Sequence, residues 1–461
     1  MKKIRLFIAL ILFSSIIKAQ VFISDDLNYA IGKALQKNAE IKNQGLELQK
    51  LELERKSVLA KYIPKIEAAG LYSRISSDAK LDLATVNLPV TGNPIFSGVS
   101  DFNTNANALY GGVTAKAVLF SGGQILNGAK ALKEKNTGTA YMMENQKDEV
   151  IKDVIASFDQ LQLLESAKKL IDDSEKRLAK ETERVDKAIV EGLAIPYDRD
   201  KIKLAALELA SKRADVENKK KLLVLKIKQS TGLSEEEILN TNHQLEPILI
   251  LEDLNTTERN EIKALESFKN ASEYAIKKEK GSLLPTVGAF AGYSYASLFN
   301  ANTNVPAGIL NTTATNLKLN EFTFHPNWMV GVAAKWELFS GFERKHKIEE
   351  AKIGLTQVEN KLEDAKEKLD LQLVKNKVDY ETMLHQVDIA LQREKIAQNN
   401  NEIASKQYRL GLINVTERLG AENDIYKESL NRVEAVFKQR QTAIEVYQAS
   451  GKLSTFIQIQ N

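Results

Sequence analysis

The sequence predicts an α+β chain made of one large unit used twice, each unit joining a long antiparallel coiled-coil hairpin to two β-strands, four strands per chain. Three observations carry this expectation. Residues 110–123, YGGVTAKAVLFSGG, align with 329–342, MVGVAAKWELFSGF, and eight of the fourteen positions are identical. After the second LFSG, Ile348, Ala351, Leu355, Val358, Leu362, Ala365 and Leu369 recur at alternating spacings of three and four, a heptad seam of the kind that packs helix on helix. Before each LFSG, apolar and polar residues alternate with period two, the pattern of a strand.

The N-terminus is read first because it is removed before folding. Lys2, Lys3 and Arg5 precede a mostly apolar run from Leu6 to Ile17, and Ala19 is a small residue where cleavage is expected. Residues 1–19 therefore predict a secretory signal peptide, too short to span a bilayer. The chain contains no cysteine, so no disulfide, thioether-linked lipid or Cys metal site is available. The formal charge is +3, from 64 basic and 61 acidic residues. Lys2, Lys3, Arg5 and Lys18 leave with the signal, which makes 60 against 61, a net of −1. Such balance gives no general attraction to nucleic acid or anionic lipid. No later run of about 18 apolar residues marks a transmembrane helix.

The first repeat spans 20–231. A helix is expected over about 25–62, stopped before Pro64 because proline lacks the amide and clashes with the preceding turn. Strands follow at 65–76 and 107–120, separated by a loop, 77–106, rich in Asn, Thr, Ser and Gly. Leu119, Phe120, Ser121 and Gly122 form the junction into a helical hairpin over 123–230. The second repeat, 257–449, has the same grammar: a helix, Pro285, strands at 286–297 and 327–339 around a polar loop, the junction Leu338, Phe339, Ser340 and Gly341, and a hairpin over 342–449. AEIK (39–42) matches NEIK (260–263), and IPKIEAAGLYS (63–73) matches LPTVGAFAGYS (284–294). In both copies 70 residues separate the junction glycine (Gly122, Gly341) from a later Gly-Leu (Gly192-Leu193, Gly411-Leu412) where the hairpin reverses. Sixty-odd helical residues span roughly 100 Å at about 1.5 Å each. A Pro247-containing linker, 232–256, lies between the repeats, and a tail, 450–461, closes the chain.

The last strand of the second repeat places Trp328, Val330, Val332, Ala334, Trp336 and Leu338 on one face, with Asn327, Lys335 and Glu337 on the other. The first repeat answers with Leu109, Val113, Ala115, Ala117 and Leu119 opposite Tyr110, Thr114 and Lys116. Trp328 and Trp336 are the only tryptophans, about 26 Å apart at about 3.3 Å per residue. That approximates the apolar band of an outer-membrane barrel between its aromatic girdles. A half-buried soluble sheet alternates in the same way, so periodicity leaves both environments open. Four strands do not close a barrel, and an open edge in hydrocarbon leaves backbone groups unpaired at several kcal/mol each. In a membrane, several chains must then share one barrel.

No enzymatic constellation is present. His243, His325, His346 and His385 are scattered, none with a second ligand three or four residues away, so surface positions are expected and no metal site or cofactor. The GxSxG, P-loop and dinucleotide motifs are absent. The carboxylates lie on helices dense with lysine, the pattern of surface pairing.

The doubled Leu/Ile-Pro strand, the LFSG junction, the 70-residue helix and the Gly-Leu reversal together resemble the TolC family of outer-membrane efflux channels (outer membrane factors), over nearly the whole mature chain. The resemblance implies a homotrimer with a shared twelve-stranded barrel in the outer membrane of a Gram-negative bacterium. It also implies a helical tunnel in the periplasm, with 232–256 and 450–461 in a belt around it. The implied role is a passive exit duct of a tripartite efflux or type I secretion system. Its partners would be a periplasmic adaptor (membrane fusion) protein, an inner-membrane transporter and outer-membrane lipid, with no nucleic acid. Trp328 and Trp336 would sit in the lipid-face girdle. Gly192, Leu193, Gly411 and Leu412 would meet the adaptor, and Asp198, Tyr408 and Glu417 fall on gate positions. Two positions depart from the family pattern, Ile413 where a basic residue is expected and Gly420 where an acid is. Gly192 and Gly411 also suit plain helix C-caps, and the tip acids suit helix-terminus or solvated surface roles. The rival reading is a soluble periplasmic coiled-coil adaptor or scaffold, which has no need of a Trp-flanked strand. No residue separates drug, metal and protein cargo.

Overall fold

The computed structural model describes residues 23–92, 94–305 and 315–457. The expected signal peptide, 1–19, lies outside them, as do the last residues of the tail and the His325 side chain. The element order is α1 (Asp25–Lys37), α2 (Ala39–Leu59), β1 (Lys65–Asn87), β2 (Pro94–Phe120), α3 (Gln124–Val190), α4 (Pro196–Thr231), α5 (Glu235–Asn240), α6 (Asn260–Gly281), β3 (Thr286–Val305), β4 (Thr315–Lys335), α7 (Glu343–Arg409), α8 (Val415–Ala449) and α9 (Leu453–Ile457). The chain forms two compact units that cut across the repeats. One is helical, formed by residues up to 50, 134–269 and from 357 on; the other, 51–133 and 270–356, holds the sheet.

The sheet unit is a four-stranded antiparallel sheet in the order β1-β2-β3-β4. The repeats meet in its middle, where β2 pairs with β3, for example Val113 with Tyr293. Each repeat alone would supply a two-stranded hairpin, which is marginal in water. The strands are longer than their apolar alternation: the expected loops 77–106 and 298–326 are strand from 77 to 87, 94 to 106, 298 to 305 and 315 to 326. These stretches are rich in Asn, Thr and Ser, with short alternating apolar pairs such as Leu317 and Leu319, yet the backbone ladder persists. Polar side chains extend it, with Asn103 donating to Asp78, Asn105 donating to Asn103, and Thr104 bonded to Thr303 at 3.1 Å. β4 stops at Lys335, short of the expected 339. Beyond it the Trp336 indole N–H turns aside to donate to the Leu283 carbonyl at 3.1 Å.

In the helical unit, the core joins Leu27 and Ile31 of α1, Ile151, Ile155 and Phe158 of α3, Val224 and Ile227 of α4, and Ile444 and Tyr447 of α8. Each such side chain contributes about 1.5–3 kcal/mol on full burial. The helix expected over 25–62 is broken at Asn38. Its N–H closes α1 on the Ala34 carbonyl (2.9 Å), while its Oδ1 caps α2 by accepting from Ile41 N–H (3.0 Å). The linker between the repeats is fixed by side chains rather than by secondary structure. Gln439 exchanges two hydrogen bonds with the Ile248 backbone (2.6 and 3.0 Å), and the Tyr380 hydroxyl bridges Ile248 and Ile250. Beside it, the buried Arg440 guanidinium donates to both Asp159 oxygens at 3.0 Å, and His243 Nε2 lies 2.5 Å from Asp159 Oδ1. His243 is therefore buried, contrary to the surface position expected for it. Its partner is 84 residues away in sequence, out of reach of a search for ligands on one helix.

On α7, every seam residue from Ile348 to Leu369 is half-buried, and the residues between, Gly354 aside, are exposed. The seam continues through Leu373, Asn376, Tyr380, Ala390, Ala397 and Ala404, all buried. Two successive steps of four, Ala365 to Leu369 to Leu373, interrupt the heptads, a stutter that locally unwinds the coil.

Candidate functional site: the sheet faces and the hairpin tips

The pairing register assigns each strand residue at the sheet base to a face. Ile66, Ala115, Ala291 and Val330 are successive partners, as are Ala68, Val113, Tyr293 and Trp328. One face is thus apolar across all four strands. Its large residues are open: Ile66, Tyr72, Val113, Tyr293, Trp328, Val330 and Val332 are all exposed. The same face turns polar above Tyr72, where Arg74, Ser76, Asp78 and Lys80 follow at alternate positions. Tyr72 and Phe299, 6.4 Å apart, sit near that boundary. The opposite face carries Lys65, Glu67, Thr114, Lys116, Ser294, Asn327 and Lys335. Among the described residues, β1 and β4 each have one edge without a partner strand.

At the first junction, Leu119 and Phe120 end β2, and Ser121 accepts at its Oγ from Ile125 N–H (3.3 Å) to start α3. Gly122 has φ 62° and packs directly on the Gly281 carbonyl, leaving no room for a Cβ. At the second junction, Leu338 and Phe339 are exposed, and Gly341 has φ 60°. Ser340 Oγ accepts from Arg344 Nε (3.0 Å), and Arg344 also donates to the Ser282 carbonyl (3.1 Å). Phe342 stands at the position of Gly123 and takes φ 67°, a left-handed conformation costing roughly 1–2 kcal/mol for a residue with a Cβ. Its edge-to-face contact with Phe339, at 5.5 Å, offsets part of that.

Both hairpin reversals are Schellman motifs. Gly192 (φ 74°) donates to Ile189 and Leu193 to Ala188; Gly411 (φ 71°) donates to Tyr408 and Leu412 to Gln407. Glycine suits the left-handed position that satisfies the last carbonyls. The motif does not require an open leucine, yet Leu193 is 78% and Leu412 68% exposed. The return helices begin with capping acids. Glu417 Oε2 accepts from Asn414 N–H (3.1 Å), and Asn414 Oδ1 accepts from Glu417 N–H (2.9 Å). Asp198 Oδ2 accepts from Ile195 N–H (3.4 Å). Within the chain, Asp198 and Glu417 thus close helix ends. Tyr408 is partly buried and packs against the apolar cluster that joins α3, α4 and α8 near the tips. Burial pushes its hydroxyl pKa up, and the charges of Asp198 and Glu181 push it further. Ile413 lies in the turn and Gly420 within α8, where an added Cβ would meet open space.

A buried network of charged side chains lies near the tips. Arg418 is 3% exposed and donates to Glu181 Oε1 (3.3 Å), Glu422 Oε2 (3.4 Å) and Asn401 Oδ1 (2.8 Å). Arg177 reaches the other Glu422 oxygen at 2.6 Å, and Arg184 reaches Glu181 at 3.1 Å. The network ties α3 to α7 and α8 across 237 residues of sequence. Its local traces in the sequence are the pairs Glu181–Arg184 and Arg418–Glu422, three and four residues apart.

The described residues thus form a two-faced open sheet whose strands run on in sequence into long helical hairpins. The comparisons with known proteins agree. Residues 253–452 match the family model described as outer membrane efflux protein. Among solved structures, the chain is similar to CusC (14% identity, TM-score 0.73, covering 94% of this chain and 93% of that one), whose structures are described with folding and transmembrane channel formation. It is similar to the Campylobacter jejuni CmeC outer membrane channel (15% identity, TM-score 0.69, covering 93% and 86%). It is also similar to the outer membrane protein VceC of Vibrio cholerae (13% identity, TM-score 0.66, covering 92% and 96%). No curated protein sequence matches significantly. The second repeat thus carries the match to the outer membrane efflux protein model, and the fold of the chain is that of the outer-membrane channels.

Proposed function

We propose that the chain is one protomer of a passive outer-membrane exit duct, with three copies sharing a barrel. The observation that carries this reading is the open sheet: an apolar face continuous over four strands, flanked by two unpaired edges. Such a sheet in hydrocarbon requires neighbours on both sides, because each unpaired backbone group there costs several kcal/mol. A further copy also suits the helices. Leu371, Val374, Val378, Ile389, Ile396 and Ile403 form a second, exposed apolar stripe on α7, free to take another protomer's helices. No helix among the described residues is long and apolar enough to cross a membrane. The apolar face favours the duct over the soluble scaffold.

In this reading the exposed Leu193 and Leu412 meet a periplasmic adaptor, which links the duct to an inner-membrane transporter that supplies the energy. Tyr408, Asp198 and Glu417 bias the closed tip. The test is a planar-bilayer recording on protein extracted from the outer membrane. Discrete conductance steps support the duct; protein that stays in the soluble periplasm and gives no steps contradicts it.

A further inference from the structure

The polar face of the sheet holds a recess that a plain duct wall does not require. Lys65, Lys116, Phe290 and Gly331 are successive cross-strand partners, so one row carries two ammonium groups beside an aromatic ring. Lys61, in the turn before β1, joins Lys65 and Lys116 around a concavity completed by Gly288, Phe290 and Ala333. Glycine shapes it: a Cβ at Gly331 would lie 2.8 Å from the Phe290 ring, which leans over that position. Glu67 is the carboxylate of this row's surroundings, reaching Lys116 at 3.8 Å with both side chains about two-thirds exposed. Three lysines against one glutamate leave an excess of two positive charges beside an apolar floor.

We propose that this recess is a binding subsite for amphipathic organic anions. The planar apolar body rests against Phe290, and the acid group lies between Lys65 and Lys116. Its placement in the bore rests on the duct reading above; the subsite itself does not. Solvent-exposed ammonium contacts are individually weak and screened by salt, so binding is modest and salt-sensitive. Modest affinity suits conduction, which needs a permeant to enter a site and also to leave it. Cationic amphiphiles are disfavoured by the same lysines.

The test is equilibrium dialysis of the full-length protein in lipid nanodiscs at low ionic strength, with 2-naphthalenesulfonate as probe. The same preparations are sized and recorded for conductance. Saturable binding at one site per chain is expected, weakened at least about fivefold by K65Q/K116Q and by F290A, retained by K65R/K116R, and absent for a naphthylmethylammonium probe. Phe290→Leu, which keeps apolar contact with Gly331 but removes the ring, replaces F290A if that variant does not assemble. No saturable binding to a conducting assembly, or a smaller shift in either variant, would overturn the subsite. Binding that persists in a monomeric, non-conducting preparation would support it while removing the duct.

Discussion

At the residue scale, the tip acids have two separable roles, a helix cap within the chain and a charge for the proposed gate. Glu417→Gln keeps an oxygen to accept from Asn414 N–H but removes the charge; Glu417→Ala removes both. If charge holds the tip closed, both variants raise resting conductance and antibiotic leakage. Leakage with Ala alone would assign Glu417 to capping, worth about 0.5–2 kcal/mol. The capping signature Asn414-x-x-Glu417 is legible in the sequence, in keeping with the helix-terminus role open to the tip acids. The Arg418 cluster was not legible, because Glu181, the partner that joins it to α3, lies 237 residues away in the chain. Arg418→Ala should cost about 3–5 kcal/mol by stranding two buried carboxylates, toward the low end since Arg184 and Arg177 still reach them. A thermal melt of the extracted protein measures this. Asp148 gives a pH dependence of known sign. Burial pushes its carboxyl pKa up, against the opposing Ser454 hydrogen bond and Arg259 charge. The fold therefore favours the protonated form, and this contribution is lost as pH rises through the raised value. D148N should melt above the wild type at neutral pH, with the gap closing toward about pH 4, near the ordinary carboxylate range. A gap independent of pH would remove the titration from the account.

At the element scale, legibility followed apolar periodicity. The coiled-coil hairpins and the strand bases carry it, and both were readable. The upper halves of the strands were not, because runs such as Asn103-Thr104-Asn105 resemble a loop in composition while their backbones stay paired. β4 was read too long because Trp336 and Leu338 keep the alternation after the backbone has left the ladder. The face assignment yields a paired prediction. Val332→Arg places a charge on the apolar face and should block outer-membrane assembly, at about 2–4 kcal/mol per chain near the bilayer midplane. Thr114→Arg, on the polar face, should assemble normally. Membrane fractionation of both variants tests it, and equal behaviour would count against a lipid-facing sheet.

At the scale of the whole molecule, the internal duplication acquires its physical meaning. Each copy supplies two strands and one hairpin; β2 and β3 zip the copies into one sheet, and among the described residues the outer edges of β1 and β4 stay open. A closed ring of such sheets removes every edge, and an exposed apolar stripe on α7 gives the helices a matching contact. The central claim is therefore that chains share one barrel. Its most direct test is the native mass of the protein extracted from the outer-membrane fraction by mild detergent. The account predicts about three times the mass of the mature chain, as expected of a closed cyclic homo-oligomer, persisting in mild denaturant. A monomer, or protein recovered mainly from the soluble periplasm, would contradict it.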